Sequence, residues 1–280
     1  MTDFKKKILI ATGGTGGHVF PAYSLTKYFI KKNFTVKITT DKRGLRYFKK
    51  ETSISLKVIN SSTIFKKNFF KSIVSCLHIF FAFIKSFIFL LNFKPKIVFG
   101  MGGYSSFPVC IAAWFLRIPF VIYENNLHIG KTNKYLLPLA NKLLVSYLSL
   151  EGENDKYIEK KIEVGNILRD EIFNFKNENL KLDEKKIHIL ILGGSQAARI
   201  FAEKIPNIFK KCIEANINIK VFQQCLPNQN NFLEDIYKKN NIEFEIFNFT
   251  HDLKKYFSKI DFAITRAGSS VLAELLNCRI

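Results

Sequence analysis

One local pattern recurs four times along the chain: an apolar strand, a turn rich in glycine or serine, and the start of a helix. Its copies are KILIATGGTGGH (7–18), KIVFGMGGYSS (96–106), IHILILGGSQAAR (187–199) and DFAITRAGSS (261–270). Apolar strands that alternate with helical segments predict right-handed βαβ units and parallel sheets. Because the first and third copies each open a run of such units, the pattern predicts two Rossmann-like α/β domains in tandem.

The rest of the chain fits this arrangement. Its 280 residues are 48% hydrophobic, which is enough to bury two cores. Further strands are predicted at 34–40, 118–124, 141–147, 161–166, 218–224 and 242–249. The segment 150–185 is polar and is predicted as a linker, so we place the domains at 1–164 and 165–280. The last residues fall within a helical pattern, and the second domain is therefore expected to be truncated.

Charge and cysteine content narrow the choice of partner and compartment. The five cysteines form no Cys-x-x-Cys pair, which favours a reducing, cytoplasmic compartment. The net charge is +20, and the stretch from Thr52 to Tyr123 contains eight lysines and arginines but no acidic residue. Such a one-signed region predicts an anionic partner. Without a helix-turn-helix, zinc knuckle or aromatic RNA-binding strand, nucleic acid is not expected, and an anionic membrane surface is favoured.

Residues 72–91, SIVSCLHIFFAFIKSFIFLL, approach a membrane span in length and hydropathy. A span would separate strands 7–11 and 96–100, which we expect to share one sheet, and His78 and Lys85 interrupt the run. A buried crossover helix explains one apolar face only. We therefore predict a peripheral helix that dips into a membrane interface. The predicted apolar patch, rimmed by basic residues, consists of Ile73, Leu77, Phe80, Phe81, Ile84 and Trp114.

The glycine turns suggest anion binding. GGTGG places backbone N–H groups and a helix N-terminus where an anion is stabilised, although a tight turn without ligand remains the alternative. GMGGYSSFP adds a second such loop in the same domain, and two loops at one sheet edge line a shared crevice. No acidic residue ends the second strand as in a dinucleotide site, and Asp41, just beyond it, is a weak candidate for that role.

Six motifs together resemble a known family. GGTGGHVFPA, GMGGYSSFP, YENN…GKTNKYL, VGNILR, GGSQAAR and RAGSSVLAELL stand in the order and spacing of the MurG-type transferases of glycosyltransferase family 28. The resemblance implies a GT-B fold, with two Rossmann-like domains across a cleft. It also implies that GlcNAc passes from UDP-GlcNAc to undecaprenyl-diphospho-MurNAc-pentapeptide (lipid I), with inversion, to give lipid II for peptidoglycan and cell-wall synthesis.

The resemblance also implies the site residues. UDP-GlcNAc is expected at Thr15, Gly16, Gly17, Asn126, Arg169, Ser195, Gln196, Thr250, Ser270 and Glu274, and the acceptor diphosphate at Gly13, Gly14, Gly102, Gly103 and Tyr104. Three departures from the family pattern stand out. Ala197 replaces a glycine, Asn125 replaces a glutamine, and the glutamine-rich donor segment is expected beyond Ile280.

The chemistry needs a base for the acceptor hydroxyl and stabilisation of the leaving diphosphate. His18 is the predicted base, although it equally suits a role in positioning the acceptor, and Glu124 is the rival base. No metal site and no cofactor are predicted, and dependence on divalent ions is left open. The expected location is peripheral, on the cytoplasmic face of the bacterial inner membrane. The alternatives are a GT-B enzyme for another lipid acceptor and a non-catalytic nucleotide-sugar-binding remnant.

Overall fold

A computed structural model describes residues 6–48, 54–61, 69–175, 185–194, 199–250 and 252–280. The chain divides into two compact units, Met1–Arg169 and Asp170–Ile280. The division falls after Arg169 because the segment after residue 164 is bonded to the first unit. There the Gly165 carbonyl accepts from the Tyr123 hydroxyl at 3.2 Å, and that hydroxyl in turn accepts from the Ile167 N–H at 3.1 Å.

The first unit is built on a sheet of seven parallel strands in the order β3-β2-β1-β4-β5-β6-β7. Their bounds are β1 Lys7–Ala11, β2 Thr35–Thr40, β3 Ser55–Val58, β4 Ile97–Gly100, β5 Phe120–Glu124, β6 Lys142–Val145 and β7 Lys161–Glu163. The helices are α1 Gly16–Lys31, α2 Lys42–Leu45, α3 Phe69–Phe93, α4 Ser106–Phe115 and α5 Lys131–Leu136, with a 3-10 helix at Asp155–Lys160. Strand and helix alternate as the glycine-turn pattern predicts.

The alternating direction of side chains along β1 explains why the sheet of this unit has a hydrophobic core on each face. Leu9 and Ala11 point into a core shared with α3, α4 and α5. Ile8 and Ile10 point to the opposite face and pack with residues of α1 and β2. Because successive strand residues face opposite sides, an apolar run such as KILIA suits a strand covered on both faces.

The second unit has a sheet of four parallel strands in the order β10-β9-β8-β11. Its strands are β8 Ile187–Leu192, β9 Ile219–Gln224, β10 Glu243–Phe247 and β11 Phe262–Thr265. Its helices are α6 Asp170–Phe173, α7 Arg199–Glu214, α8 Asn230–Lys239, α9 Lys254–Phe257 and α10 Ser269–Asn277, with a 3-10 helix at Pro227–Gln229. Cores lie on both faces of this sheet as well, so the second unit repeats the α/β layering of the first.

Helix α3 packs on the sheet with one narrow face. Ser75, Ala82, Ser86, Leu90 and Phe93 are buried, and they recur at the spacing of one helical stripe. Residues Ser72–Phe93, with a mean hydropathy of 2.2, are long and apolar enough by composition to cross a membrane. However, β1 pairs in parallel with β4, as the sequence predicts, so the strands that bracket α3 belong to one sheet.

The two edge strands of the first sheet, β3 and β7, compare differently with the prediction. Strand β3 was not predicted, because its four residues at the sheet edge show little alternation of apolar and polar side chains. Strand β7 falls within the strand predicted at 161–166, inside the polar segment 150–185, and it pairs with β6 at the edge of the first sheet. Its polar composition follows from its place at the edge, where its side chains are largely exposed.

Candidate active site

The candidate site of the first unit lies at the carboxyl ends of β1, β4 and β5, which are neighbours in the sheet. The chain runs from β1 to β2 on one side and returns to β4 on the other, so the strand order reverses between β1 and β4. Ligands of open α/β sheets bind at the carboxyl ends of the strands where this reversal occurs. The loops after β1 and β4 are the two glycine turns singled out in the sequence.

These two glycine loops interlock. A Cβ atom on Gly103 would lie 2.5 Å from the carbonyl oxygen of Gly13, and one on Gly13 would lie 2.0 Å from the Ser105 hydroxyl. That hydroxyl donates a 2.7 Å hydrogen bond to the Thr12 carbonyl. Gly103 also has a φ of +79°, which side-chain-bearing residues rarely adopt. Glycine is therefore needed at 13 and 103 so that the loops can touch.

Asp41, at the end of β2, holds the first glycine loop in place. One carboxylate oxygen accepts hydrogen bonds from the Gly14 N–H at 3.0 Å and from the Gly44 N–H at 2.7 Å. The other oxygen is 3.3 Å from Nε of Arg43, whose guanidinium lies beside Gly14. Asp41 thus supports the loop, which differs from the ribose-binding role considered for it in the sequence. Arg43 places a half-exposed positive charge at the loop's edge.

His18, in the first turn of α1, packs directly beneath the second loop. A Cβ atom on Gly102 would lie 2.6 Å from its Nδ1, so the ring rests against the backbone of that loop. Burial lowers the pKa of His18, while the Glu124 carboxylate and a hydrogen bond with the Met101 backbone oppose that shift. Because burial is the largest influence, the imidazole is neutral at pH 7 and has a lone pair that can accept a proton.

Glu124 ends β5 with a carboxylate that is almost fully buried and fully engaged. Its Oε1 accepts from the Asn126 backbone N–H at 3.2 Å and from the Asn126 side chain at 2.8 Å. Its Oε2 accepts from the Gly130 N–H at 2.8 Å and from the Asn133 side chain at 2.9 Å. Four donors on two oxygens fix the loop after β5 around one charge, which is an arrangement typical of a structural carboxylate.

The loop after β5 is also tied to α1. The Asn125 side chain donates to the Gly17 carbonyl at 3.1 Å, so the residue that departs from the family pattern joins two loops. Its neighbour Asn126 is exposed and donates its amide to Glu124. Thr15, the N-cap of α1, is exposed and makes no capping hydrogen bond, while Gly16 is buried beside Phe20.

The structure therefore brings many of the predicted residues of the first unit to one edge of its sheet. Those at or beside the interlocked loops are Gly13, Gly14, Thr15, Gly16, Gly17, His18, Gly102, Gly103, Tyr104, Glu124 and Asn126. Tyr104 is exposed at the tip of the second loop. Arg169 is buried, with its guanidinium over the Phe20 ring at 4.9 Å.

The predicted residues of the second unit lie on loops after its strands. Thr250 follows β10, where its hydroxyl accepts from the Asp252 N–H at 3.1 Å. Ser270 lies in the first turn of α10, and Glu274, one turn later, is buried. Ser195 and Gln196 fall outside the described residues. In the described part of the chain, no three histidine, cysteine or carboxylate side chains come together as a metal site would require.

Comparison with known proteins identifies the family. The model of the glycosyltransferase family 28 N-terminal domain matches residues 8–145, and that of the family 28 C-terminal domain matches residues 188–280. The chain belongs to glycosyltransferase family 28. The family predicted from the sequence motifs is thereby confirmed, and each family domain falls within one of the two compact units.

Curated relatives of this family-28 chain share one name, UDP-N-acetylglucosamine--N-acetylmuramyl-(pentapeptide) pyrophosphoryl-undecaprenol N-acetylglucosamine transferase. The protein from Pelagibacter ubique is 36% identical over 272 residues, which cover 96% of this chain and 74% of the relative. The protein from Rickettsia canadensis is 32% identical over 275 residues, covering 96% of this chain and 75% of the relative.

Solved structures confirm the GT-B fold of this glycosyltransferase. MurG from Acinetobacter baumannii matches 98% of this chain and 76% of its own, with a TM-score of 0.73 and 24% identity. A UDP-GlcNAc 2-epimerase from Methanocaldococcus jannaschii matches 98% of this chain and 82% of its own, with a TM-score of 0.64 and 16% identity. At these identities the likeness concerns the fold alone.

Sequence reasoning missed two residues that organise the site. Asn133 donates both to Glu124 and, at 2.9 Å, to the Tyr123 carbonyl, yet it lies in the helical segment GKTNKYL and carries no local signal of its own. Ser105 was read only as part of a glycine turn. The roles of both residues follow from their burial and hydrogen bonds in the folded chain, which no pattern in the sequence marks.

Proposed function

We propose that this protein transfers GlcNAc from UDP-GlcNAc to lipid I and so forms lipid II for peptidoglycan. The observation that carries the proposal is the match of both family-28 domains together with relatives named for this reaction at 32–36% identity. The half-buried, neutral histidine beside two interlocked glycine loops supports it, because glycosyl transfer to a hydroxyl needs a base beside an anion-binding surface.

In this proposal the acceptor diphosphate lies on the glycine loops of the first unit. Backbone N–H groups at Gly13, Gly102 and Gly103 and the start of α1 offer hydrogen-bond donors to phosphate oxygens, whereas the Gly14 N–H is held by Asp41. Arg43 adds a positive charge that Asp41 holds beside the loop. Tyr104 is exposed next to these loops and is available to contact the acceptor.

His18 acts as the base. One ring nitrogen is occupied by the Met101 backbone, so the other accepts the proton of the acceptor hydroxyl as that oxygen attacks the anomeric carbon. The C–O bond to UDP breaks on the opposite side, and the UDP diphosphate departs with the bonding pair. Glu124 is the less suitable base, because its oxygens already accept four hydrogen bonds.

The donor binds to the second unit. The loops after β8, β10 and β11 share the carboxyl edge of one parallel sheet, where nucleotides bind in this class of fold. Glu274 accepts hydrogen bonds from the ribose hydroxyls, and Ser270 supports the start of α10. The backbone at Thr250 contacts the uracil ring. Ser195 and Gln196 are proposed to bind the donor diphosphate.

The acceptor is lipid-linked, so we place the first unit on the cytoplasmic face of the inner membrane. All six predicted patch residues are exposed, with Phe80 and Phe81 exposed by 57% and 59%. Val74, Ile88, Leu91 and Phe115 extend the same apolar surface. Exposed apolar side chains in this number are unusual for a surface facing water and are typical of membrane-binding helices.

A sedimentation assay with anionic vesicles tests the membrane assignment. Changing Phe80, Phe81 and Ile84 to serine is expected to reduce the bound fraction severalfold, because it removes about 2 kcal/mol of apolar transfer per side chain. The matched control changes Phe173, Phe232 and Ile208, equally exposed residues of the second unit. Unchanged binding by the patch variant, with its circular dichroism intact, would refute the assignment.

A further inference from the structure

A cavity of about 390 Å³ lies at the end of the first sheet opposite the glycine loops. Its lining residues are Lys7, Thr35, Lys37, Phe89, Asn92 and Phe93. Lys7 and Thr35 face each other across the start of β1 and β2, and the aromatic residues belong to the last turns of α3. The cavity is therefore formed between the sheet and the end of the apolar helix, and the proposed transfer chemistry does not use it.

Two lysines give this cavity its charge. Lys37 Nζ lies 4.8 Å from the centre of the Phe93 ring and 5.7 Å from that of Phe89, and Lys7 Nζ lies 5.7 Å from the same Phe93 ring. Among the described residues neither lysine has a carboxylate within ion-pair distance. Two ammonium groups held over one ring repel each other, and an anion placed between them relieves that repulsion.

The lining chemistry matches a phosphate group. Ammonium groups are strong donors to phosphate oxygens, and the Thr35 hydroxyl and Asn92 amide add neutral donors. The residues from Thr52 to Tyr123 include no acid that would oppose an anion. By strand alternation, Lys57 on β3 projects from the same face of the sheet as Lys37, which strengthens the positive field.

The position of the cavity indicates the source of that phosphate. Asn92 follows the exposed Ile88 by four residues on α3, so the two are neighbours on the helix surface and the cavity borders the apolar stripe. We propose that this cavity binds the phosphate headgroup of an anionic membrane lipid whose tails lie along α3. The inference rests on the proposed membrane association. It adds, beside the apolar patch, a second contact between the protein and the membrane at the lipid phosphate.

The test compares two double variants of the full chain. Lys7→Gln/Lys37→Gln removes the cavity charges. Lys27→Gln/Lys32→Gln removes the same charge from α1 and its C-cap, on the opposite face of the sheet, where these lysines also lie over aromatic rings. Vesicles of phosphatidylcholine, with and without phosphatidylglycerol, measure the preference for anionic lipid. In the cavity variant the ratio of binding with phosphatidylglycerol to binding without it is expected to fall about tenfold, which corresponds to the loss of one charge-assisted hydrogen bond. The control variant is expected to show a much smaller fall.

Three results would overturn the proposal. Equal losses in the two variants would mean that only general surface charge acts. A full preference in the cavity variant would exclude the site. Shifts of the Lys7, Thr35 and Lys37 NMR signals with inorganic phosphate, but none with glycerophosphoglycerol or with vesicles, would assign the site to free phosphate.

Failure of the membrane assignment is distinguishable from failure of this site. If Phe80, Phe81 and Ile84 are irrelevant to binding, their serine variant retains binding to both vesicle types. The cavity variant is judged separately by its ratio of phosphatidylglycerol to phosphatidylcholine binding. Lys37→Arg, which keeps the charge, is expected to retain most of the preference and shows that the fold tolerates a change at this position.

Discussion

His18 is the residue on which the proposed chemistry depends, and its protonation sets the pH range of activity. Burial lowers its pKa below the ordinary 6.5, so the base remains neutral at mildly acidic pH. As pH falls through the lowered pKa, the imidazole gains a proton and can no longer accept one. The acid limb of the kcat/KM profile is therefore expected below pH 6.5. An acid limb at or above that value would contradict the assignment.

Replacing His18 tests its role more directly. His18→Gln keeps a polar side chain of similar length but removes the base, and a loss of about 10²- to 10⁴-fold in kcat is expected. His128→Gln is the control, because His128 is exposed and lies on the loop after β5. Initial rates with UDP-GlcNAc and lipid I measure both. A His18→Gln enzyme with near-native kcat would make this histidine a positioning residue at most.

Glu124 is expected to position the site, and its replacement separates that role from a base. In Glu124→Gln the amide has a single oxygen, so two of the four donors lose their acceptor and the free energy of unfolding falls by about 1–3 kcal/mol. The carboxylate also raises the pKa of His18, so its removal moves the acid limb to lower pH. Loss of the acid limb altogether would instead identify Glu124 as the base.

Among the elements, the glycine loop after β4 has the most demanding geometry. Gly102→Ala places a Cβ atom 2.6 Å from the His18 ring at a φ of +88°. Gly165→Ala carries similar backbone strain, at φ +73°, with no atom within 4 Å of the new Cβ. Both are expected to lose about 1–2 kcal/mol of stability from strain, but only Gly102→Ala should lose most of its activity. Similar activities in the two variants would show that the loop does not set the position of His18.

Among the elements, the sequence predicts the strands that belong to the repeated strand–turn–helix pattern and misses one short edge strand. The four repeated copies predict β1, β4, β8 and β11, because each apolar run leads into a turn that contains glycine. β3 escapes prediction because a short edge strand carries little pattern, whereas β7, the other edge strand, falls within the strand predicted at 161–166. In the site, the glycine turns and His18 stand out in the sequence, whereas the roles of Asp41 and Asn133 follow from hydrogen bonds that form only when strand ends and loops come together.

For the molecule as a whole, the net charge of +20 is expected to act together with the apolar patch. Salt screens surface charge, with a Debye length of about 10 Å at 0.1 M and about 3 Å at 1 M, but leaves apolar burial intact. Raising KCl to about 1 M should therefore remove the preference for phosphatidylglycerol vesicles and spare the binding that depends on Phe80 and Phe81. Sedimentation at several salt concentrations measures this. Complete release at high salt would mean that the patch does not enter the membrane.

The central claim is the transfer of GlcNAc to a diphosphate-linked lipid, and an acceptor comparison tests it most directly. The full chain is incubated with labelled UDP-GlcNAc and lipid I, with diacylglycerol, or without acceptor, and the products are analysed by mass spectrometry and NMR. The account predicts lipid II with a β-configured GlcNAc, formed only with lipid I. Glycosylated diacylglycerol, or a change in UDP-GlcNAc without any acceptor, would contradict it.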